Sequence, residues 1–239
     1  MMNPIADSLL YQQINRILEH GWYKIPDERG YRGSQGPGKL LELLLGIDGG
    51  NSDTPDAGKW EIKFHGGRSL LTLMHLEAEP KGHLHEMVQT FGIIDQYGRK
   101  SFRHTLFNNR SSKGLYIINE EDRLIVKYKE DPDILWSYWT HDRLLNAFIS
   151  KLRRLIVVSG RKRNGFVNYE MAHLFWEPQV MGFVKAVEGG MVAIDFDART
   201  KNGRGLRNHG TKFRIDFRNL PLIYRDHRLF ECPEEARLL

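Results

Sequence analysis

The chain has 239 residues, of which 41% are hydrophobic, and its 35 Lys and Arg residues exceed its 30 Asp and Glu residues, a net charge of +5. This length is enough for one or two domains with a real core, and no run approaches the ~20 apolar residues of a membrane span. A single cysteine and the lack of a signal pattern argue against a disulfide scaffold, a cysteine-based zinc site and export, and favour a cytoplasmic protein without membrane contact.

The first half of the chain predicts two helices and two strands separated by polar stretches. The first helix begins with a capping Asn and a Pro in its first turn, followed by apolar residues at near-helical spacing. Stretches rich in Gly, Asn, Asp and Pro predict loops. In chain order we expect a helix from Asn3 to about residue 20, a loop over 22–38, a helix over 39–45, turns over 46–58, strands over 59–64 and 69–75, and irregular polar structure over 80–114.

The second half predicts more strand than helix. Runs rich in β-branched and aromatic residues indicate strands, and a Thr before an amphipathic run indicates the start of a helix. In chain order we expect a hairpin of 115–118 and 124–128, a helix from Thr140 to about 153, strands over 155–159 and 166–175, a helix over 177–188, and strands over 191–197 and 212–217. This mixture predicts an α+β or mixed α/β fold.

The segment with the clearest chemistry contains Pro-Asp56, four further residues, and then Glu61-x-Lys63. Side chains alternate between the two faces of a strand, so Glu61 and Lys63 share one face while the apolar residues between and beside them face the core. Asp56 precedes the strand and can fold back beside Glu61. The pattern therefore predicts two converging carboxylates with an ammonium group next to them.

Two converging carboxylates suit Mg²⁺, a hard cation that can neutralise charge at a phosphodiester and lower the pKa of a bound water. Lys63 is then placed to position the attacking water. The alternative is a surface strand with an ordinary ion pair. A second Glu-x-Lys triplet, Glu79-Pro-Lys81, serves as an internal control, because its proline interrupts a strand.

Glu42 is the one acidic residue in the apolar run Leu40–Leu45. An acidic side chain among leucines costs desolvation free energy unless it is paired or bound to a metal, which makes Glu42 a further candidate site residue. The alternative is that Glu42 lies on the solvent side of an amphipathic helix.

Basic residues are concentrated in the second half of the chain. Between Arg199 and Arg228 there are nine basic and two acidic residues, so this window carries +7 and the rest of the chain −2. A second run, from Lys151 to Arg163, has six basic residues and no acidic one. Two such runs favour a surface that contacts nucleic-acid phosphates, with an ordinary solvated face as the alternative.

Four motifs in this order resemble the MvaI/BcnI branch of the MutH-like restriction endonucleases, within the PD-(D/E)xK superfamily. They extend over most of residues 20–220. The motifs are Gly36-x-Gly-Lys-x-x-Glu42-x-Leu-Leu, Pro55-Asp56 with Glu61-Ile-Lys63, Ser69-Leu-Leu-Thr-Leu73, and His209-Gly-Thr-Lys-Phe-Arg214-Ile.

The resemblance implies a core sheet flanked by helices, within one endonuclease unit of two lobes that clamp duplex DNA. The catalytic lobe is expected to include about 36–76 and 115–160, and the recognition lobe about 161–228. The family pattern implies that Asp56 and Glu61 bind the metal, that Lys63 positions the water, and that Glu42 is the glutamate that a helix contributes to the site.

The implied activity is that of a type II restriction endonuclease that cuts double-stranded DNA with Mg²⁺, or Mn²⁺ as a substitute. The implied target is a short pseudopalindrome resembling CC-N-GG, cut to leave 5′-phosphate ends. The enzyme is expected to act as a monomer and to have a cognate DNA methyltransferase as its genetic partner. The alternatives are a MutH-type repair nicking endonuclease and a non-catalytic DNA-binding module.

Several basic residues are candidates for contact with DNA. The resemblance places His75 near the central base pair, although a structural histidine at a strand end is the alternative. Arg is the usual bidentate reader of guanine, and other contacts only position the backbone. The candidates near the C-terminal motif are Arg207, His209, Lys212 and Arg214, and those expected to contact phosphates are Arg161, Lys162 and Arg163. The pair His83 and His85 is expected on the surface, without a metal.

Overall fold

Helices and strands alternate along the chain in a computed structural model that describes residues 4–47, 55–57, 59–67, 69–108, 113–201 and 205–230. Within these residues, helices α1–α5 span Pro4–His20, Gly36–Leu44, His83–Phe91, His141–Leu152 and Val180–Glu188. Strands β1–β14 span Trp22–Lys24, Glu61–His65, Leu71–His75, Ile93–Ile94, Lys100–Leu106, Leu115–Glu120, Arg123–Tyr128, Ser137–Thr140, Arg154–Arg163, Phe166–Pro178, Val192–Thr200, Leu206–Asn208, Lys212–Ile215 and Tyr224–Leu229. No helix among the described residues is long and apolar enough to cross a membrane.

The chain divides into two compact units. The first consists of Met1–Ser69, Ser150–Pro178 and Tyr224–Leu239, and the second of Leu70–Ile149 and Gln179–Ile223. The first unit is therefore built from three separate stretches of sequence.

The first unit contains a five-stranded mixed sheet with β10 at its centre. Strand β10 pairs antiparallel with β1, β9 and β14, and β9 pairs parallel with β2. Alternate residues of these strands, such as Ile62 and Ile156, pack into one apolar cluster with α1 and α2. Helix α1 buries Leu10, Ile14 and Ile17, whose spacing places them on one face of the helix. The opposite face of β2 is left for Glu61 and Lys63.

The second unit contains two antiparallel sheets. The larger has the order β3-β13-β11-β5-β4, with β12 also paired to β11, and the smaller has the order β6-β7-β8. Helices α3 and α5 contact the larger sheet, where Phe102, Phe196 and Phe213 are fully buried. The opposite face of this sheet carries polar side chains, because the burial of β11 alternates along the strand.

Most of the expected elements are confirmed. The first helix, the hairpin at 115–128, the helix after Thr140 and the strand at 155–159 are all present, and the mixed α+β fold class is correct. The short helix begins earlier than expected, at Gly36. The expected cap Asn3, the turns at 48–54 and the single Cys232 lie outside the described residues.

The expectation of irregular structure over 80–114 is wrong. This region contains helix α3 and strand β5. Helix α3 buries Leu84, Met87, Val88 and Phe91 at helical spacing, a pattern that the polar residues between them obscured. His83 is buried rather than on the surface, and its Nδ1 lies 3.0 Å from the Pro80 carbonyl oxygen.

The expected lobe boundaries also differ from the division into units. Residues 161–178 lie in the first unit with Glu61, whereas 70–76 and 115–149 lie in the second. The physical reason is that β9 and β10 form one continuous hairpin around Asn164 and Gly165, so the unit cannot end at residue 160.

A substitution at Tyr169 tests how the first unit holds helix α2 in place. Its buried hydroxyl donates to the Pro37 carbonyl oxygen at 2.7 Å and joins β10 to α2. Tyr169→Phe removes this buried hydrogen bond between β10 and α2, so we expect a loss of about 0.5–1.5 kcal/mol in the free energy of unfolding, measured by urea titration with circular dichroism. The control, Tyr97→Phe at an exposed ring, should change it by less than about 0.5 kcal/mol. Equal midpoints for both variants would contradict this role.

Candidate active site

A tight turn places Asp56 at the start of β2. Ala57 and Trp60 exchange backbone hydrogen bonds of 2.9 and 3.0 Å, which closes the turn between them. Asp56 Oδ2 accepts a hydrogen bond of 3.1 Å from the backbone N–H of Ile62. The carboxylate therefore folds back onto the strand that carries Glu61, as the sequence predicted.

Glu61 and Lys63 share one face of β2 and contact each other. Lys63 Nζ donates to Glu61 Oε1 at 2.7 Å, although only 3% of the Glu61 side chain is exposed. The other oxygen, Glu61 Oε2, is buried and has no hydrogen-bond partner among the described residues. Trp60 and Ile62 point into the core on the other face, so the strand fixes both carboxylate and ammonium.

Lys151 is a site residue that the sequence did not identify. It lies in the last turn of α4, and its Nζ is 3.7 Å from Glu61 Oε1. The sequence showed Lys151 only as part of a basic run, because its proximity to Glu61 depends on the parallel pairing of β9 with β2. One buried carboxylate oxygen is thus close to two ammonium groups.

Glu42 joins this cluster from helix α2. Its carboxylate is half-buried, and burial together with the negative charge of Asp56 raises its pKa, against the opposing effect of Lys39, Lys63 and Lys151. Glu42 therefore does not lie on a fully solvated helix face, and it is close enough to Asp56 for the two charges to interact.

The pKa of Glu61 is also raised, mainly by burial. The ammonium groups of Lys63 and Lys151 lower it, while the nearby charge of Asp56 raises it further. The positive charges present do not fully compensate for burying this carboxylate. A perturbed carboxylate of this kind is typical of a functional site.

These residues fit a hard divalent cation. The described residues contain no ready-made group of three or more His, Cys, Asp or Glu side chains that could enclose a metal. Mg²⁺, however, commonly uses one or two carboxylates and keeps several waters. The buried Glu61 Oε2, which has no hydrogen-bond partner among the described residues, is a suitable ligand atom, and Asp56 supplies a second carboxylate nearby.

Five of the predicted DNA-contacting residues lie in the second unit. His75 ends β3 directly opposite Lys212 of β13. Gly210 approaches His75 so closely that a Cβ atom there would lie 2.7 Å from His75 Nδ1, and its φ of +86° also favours glycine. The next residue, Thr211, donates its backbone N–H to Glu77 Oε1 at 2.9 Å. The His-Gly-Thr element is therefore docked against the end of β3.

Lys212 and Arg214 are held by neighbouring acidic residues. Arg214 Nη1 lies 3.4 Å from Asp195 Oδ2, and its Nη2 donates to the Leu70 carbonyl oxygen at 2.9 Å. Lys212 Nζ lies 3.8 Å from Asp197 Oδ2. A role of Arg214 in base reading stays a prediction. By contrast, Arg207 is exposed and His209 is half-buried.

The run Arg161–Arg163 lies in the first unit, at the far end of β9, and all three residues are exposed. Arg161 pairs with Glu170, and Lys162 donates to the Gly33 carbonyl oxygen at 3.0 Å. Leu155 of the same strand is the register partner of Glu61, which places Arg161 about 20 Å along the strand from it. The run therefore does not contact the carboxylate cluster.

The fold and the site can be compared with known proteins. The model of the MvaI/BcnI restriction endonuclease family matches residues 11–224. The structure of the MvaI restriction endonuclease in complex with cognate DNA substrate is similar to this chain, with a TM-score of 0.81, 27% identity, and coverage of 96% of this chain and 99% of that chain. The structure of MvaI in the absence of DNA is also similar, with a TM-score of 0.58, 26% identity, and coverage of 97% of this chain and 99% of that chain. Comparison with curated proteins finds no match.

The raised pKa of Glu61 generates a prediction for the metal-free protein. A raised pKa means that the folded state favours the protonated carboxyl group. Above the pKa that Glu61 has in the folded protein, its ionised carboxylate therefore lowers the free energy of unfolding. Below the ordinary pKa of 4.5 the group is protonated in both the folded and the unfolded state, and this loss of stability vanishes. We therefore expect Glu61→Gln to raise the free energy of unfolding at pH 7–8, with a gain that shrinks toward pH 4, measured by urea titration in a chelator.

Ca²⁺ provides the control for this prediction, since it also prefers oxygen ligands. It should raise the melting temperature of the wild type more than that of Glu61→Gln, because binding to the native state stabilises it. A variant less stable than the wild type at pH 7–8 without metal would contradict the assignment of a buried, incompletely compensated charge.

Proposed function

The chain belongs to the MvaI/BcnI restriction endonuclease family, and on that basis we propose that it cuts both strands of duplex DNA at a short specific sequence. The observation that carries the proposal is the convergence of Asp56, Glu61 and Lys63 at the start of β2 in a chain of this family. MvaI itself is similar to this chain in its complex with cognate DNA substrate.

Restriction endonucleases of this family generally use a divalent metal, and we propose Mg²⁺ held by Asp56 and Glu61, with Mn²⁺ as a substitute. When bound, such an ion polarises the scissile phosphate and lowers the pKa of a water. Glu61 contributes Oε2, which has no hydrogen-bond partner among the described residues, while its Oε1 keeps the contact with Lys63. Asp56 is held in position by the backbone N–H of Ile62.

Lys63 acts in this proposal as a positioned cation. Its ammonium contacts Glu61, so it is suited to donate hydrogen bonds to the attacking water and to a phosphate oxygen as negative charge develops. Lys151, on the same carboxylate oxygen, adds positive charge to the site. Glu42 completes the cluster from helix α2 and is a candidate to orient water near the metal.

The finer details of the proposal rest on the family resemblance. We propose a pseudopalindromic target resembling CC-N-GG, cleavage that leaves 5′-phosphate ends, action as a monomer in the cytoplasm, and a cognate methyltransferase that protects the host DNA. His75, docked against Gly210, is the candidate for contact with the central base pair. The family match favours a restriction enzyme over a MutH-type nicking enzyme, and the intact carboxylates and lysine argue against a non-catalytic module.

Removing the site residues tests the catalytic assignment. We expect Asp56→Ala, Glu61→Ala and Lys63→Ala each to lower Mg²⁺-dependent cleavage by about a hundredfold or more, because each loses a charge that stabilises the transition state. Binding of DNA, measured with Ca²⁺ by fluorescence anisotropy, should survive in Lys63→Ala.

The matched control is Lys81→Ala, which alters the second Glu-x-Lys triplet, where Glu79 is bonded to Tyr138. This variant should cleave like the wild type. Undiminished cleavage by Lys63→Ala would refute the catalytic role of this cluster.

The specificity is tested by digesting a large DNA of known sequence with the purified protein and Mg²⁺, followed by sequencing of the ends. We expect discrete double-strand breaks at one short pseudopalindrome, with ends that ligate without prior phosphorylation. Nicks in one strand that require an added protein would support the MutH-type alternative, and binding without any product in Mg²⁺ or Mn²⁺ would support a non-catalytic module.

A further inference from the structure

Two arginines face each other across neighbouring strands of the second unit. Arg199 of β11 and Arg207 of β12 are direct register partners in an antiparallel pair. Their Cβ atoms are therefore about 5 Å apart on the same face of the sheet. Like charges in this arrangement repel each other, so the pair weakens the hairpin unless an anion lies between them.

The acidic residues on this face are already engaged with other groups. Asp195 accepts from Thr105 Oγ1 at 2.7 Å and lies 3.4 Å from Arg214 Nη1. Asp197 lies 3.3 Å from Arg103 Nε and 3.8 Å from Lys212 Nζ.

Arg199 and Arg207 form no side-chain hydrogen bond or ion pair in the part of the chain that the structure describes. Acidic residues of the sheet thus pair with Lys212 and Arg214, whereas none of the described residues pairs with Arg199 or Arg207.

The backbone prevents the two arginines from moving apart. The hairpin is closed on one side by the hydrogen bond from Lys201 N–H to the Gly205 carbonyl oxygen at 3.0 Å. On the other side, His209 N–H donates to the Asp197 carbonyl oxygen at 2.9 Å. The register of Arg199 and Arg207 is therefore fixed at both ends. The Cα and Cβ atoms from which the two guanidinium groups extend are therefore side by side before any ligand binds.

We propose that Arg199 and Arg207 together bind one phosphate of the DNA backbone. Two guanidinium groups offer several N–H donors to the non-bridging oxygens of a single phosphodiester, the geometry in which arginine is most effective. A contact of this kind positions DNA without reading its sequence. Arg207 is thereby assigned to the backbone rather than to a base, and Arg199 becomes a DNA-contacting residue. The inference rests on the proposed function, because it takes duplex DNA as the ligand.

The test compares Arg199→Ala, Arg207→Ala and the double variant with Arg218→Ala. The control also removes an arginine from the second unit, but one whose Nη2 is 2.7 Å from Asp216 Oδ2. Binding is measured by fluorescence anisotropy with Ca²⁺ instead of Mg²⁺, over a range of salt concentrations. Two duplexes are used, one that carries the mapped cleavage site and one that lacks it. The melting temperature of each protein is measured without DNA.

Each single variant should weaken binding to both duplexes by a similar factor. The double variant should lower the salt slope of log K by about 0.9 in total, the value for one lost phosphate contact, rather than by about 1.8, because both residues hold the same phosphate. Without DNA, the melting temperature of the single variants should stay equal to that of the wild type or rise, since the repulsion is removed. A structural role would lower it instead.

Two results would overturn the proposal: affinity and salt slope equal to those of Arg218→Ala, or a loss confined to the duplex with the cleavage site, which indicates base reading. If the wild type cuts DNA and the arginine variants bind it like the control, the phosphate site is refuted and the proposed function stands. If the wild type neither binds nor cuts DNA, both are refuted.

Discussion

The buried carboxylate of Glu61 is the constraint on which the candidate site of the first unit depends. Because side chains alternate along β2, the same strand that buries Trp60 and Ile62 in the core also places Glu61 and Lys63 on the opposite face. Burial of an ionised group costs free energy unless other groups compensate for it. Lys63 and Lys151 supply part of this compensation, whereas Asp56 adds a further negative charge nearby. Glu61 Oε2 has no hydrogen-bond partner among the described residues, so the compensation there is incomplete.

The small net charge of the chain conceals two different electrostatic arrangements. In the first unit, Glu42, Asp56 and Glu61 share a cluster with lysines, and burial raises the pKa of both glutamates. In the second unit, Asp195 and Asp197 are each shared between two partners on the polar face of the larger sheet. In the first arrangement, a bound cation would stabilise the incompletely compensated carboxylates. In the second, a bound anion would stabilise the arginine pair. A metal-dependent enzyme that acts on a polyanion requires both.

The sequence was sufficient to predict that Asp56, Glu61 and Lys63 converge, because their geometry is local. The alternation of a single strand and one turn determine how Asp56, Glu61 and Lys63 meet, and both are visible in residues 55–65. Lys151 could not be found this way, since it reaches Glu61 only through the pairing of β9 with β2, almost a hundred residues apart in sequence. Long-range pairing also explains the boundaries of the two units, because the hairpin of β9 and β10 joins residues 161–178 to the sheet that contains β2.

Close packing explains why the DNA-contacting candidates of the second unit depend on a glycine. At Gly210 any side chain would meet the imidazole of His75, and the backbone φ there is unfavourable for other residues. Glu77 accepts from the backbone of Thr211 and fixes the following strand, from which Lys212 and Arg214 reach their acidic partners. The polar face is therefore organised without a ligand, and in the proposed complex with DNA this would lower the conformational entropy cost of binding. In both units, paired strands carry charges that are not fully compensated by the described residues, and such a loss of stability is expected if these sites bind a metal and a phosphate as proposed.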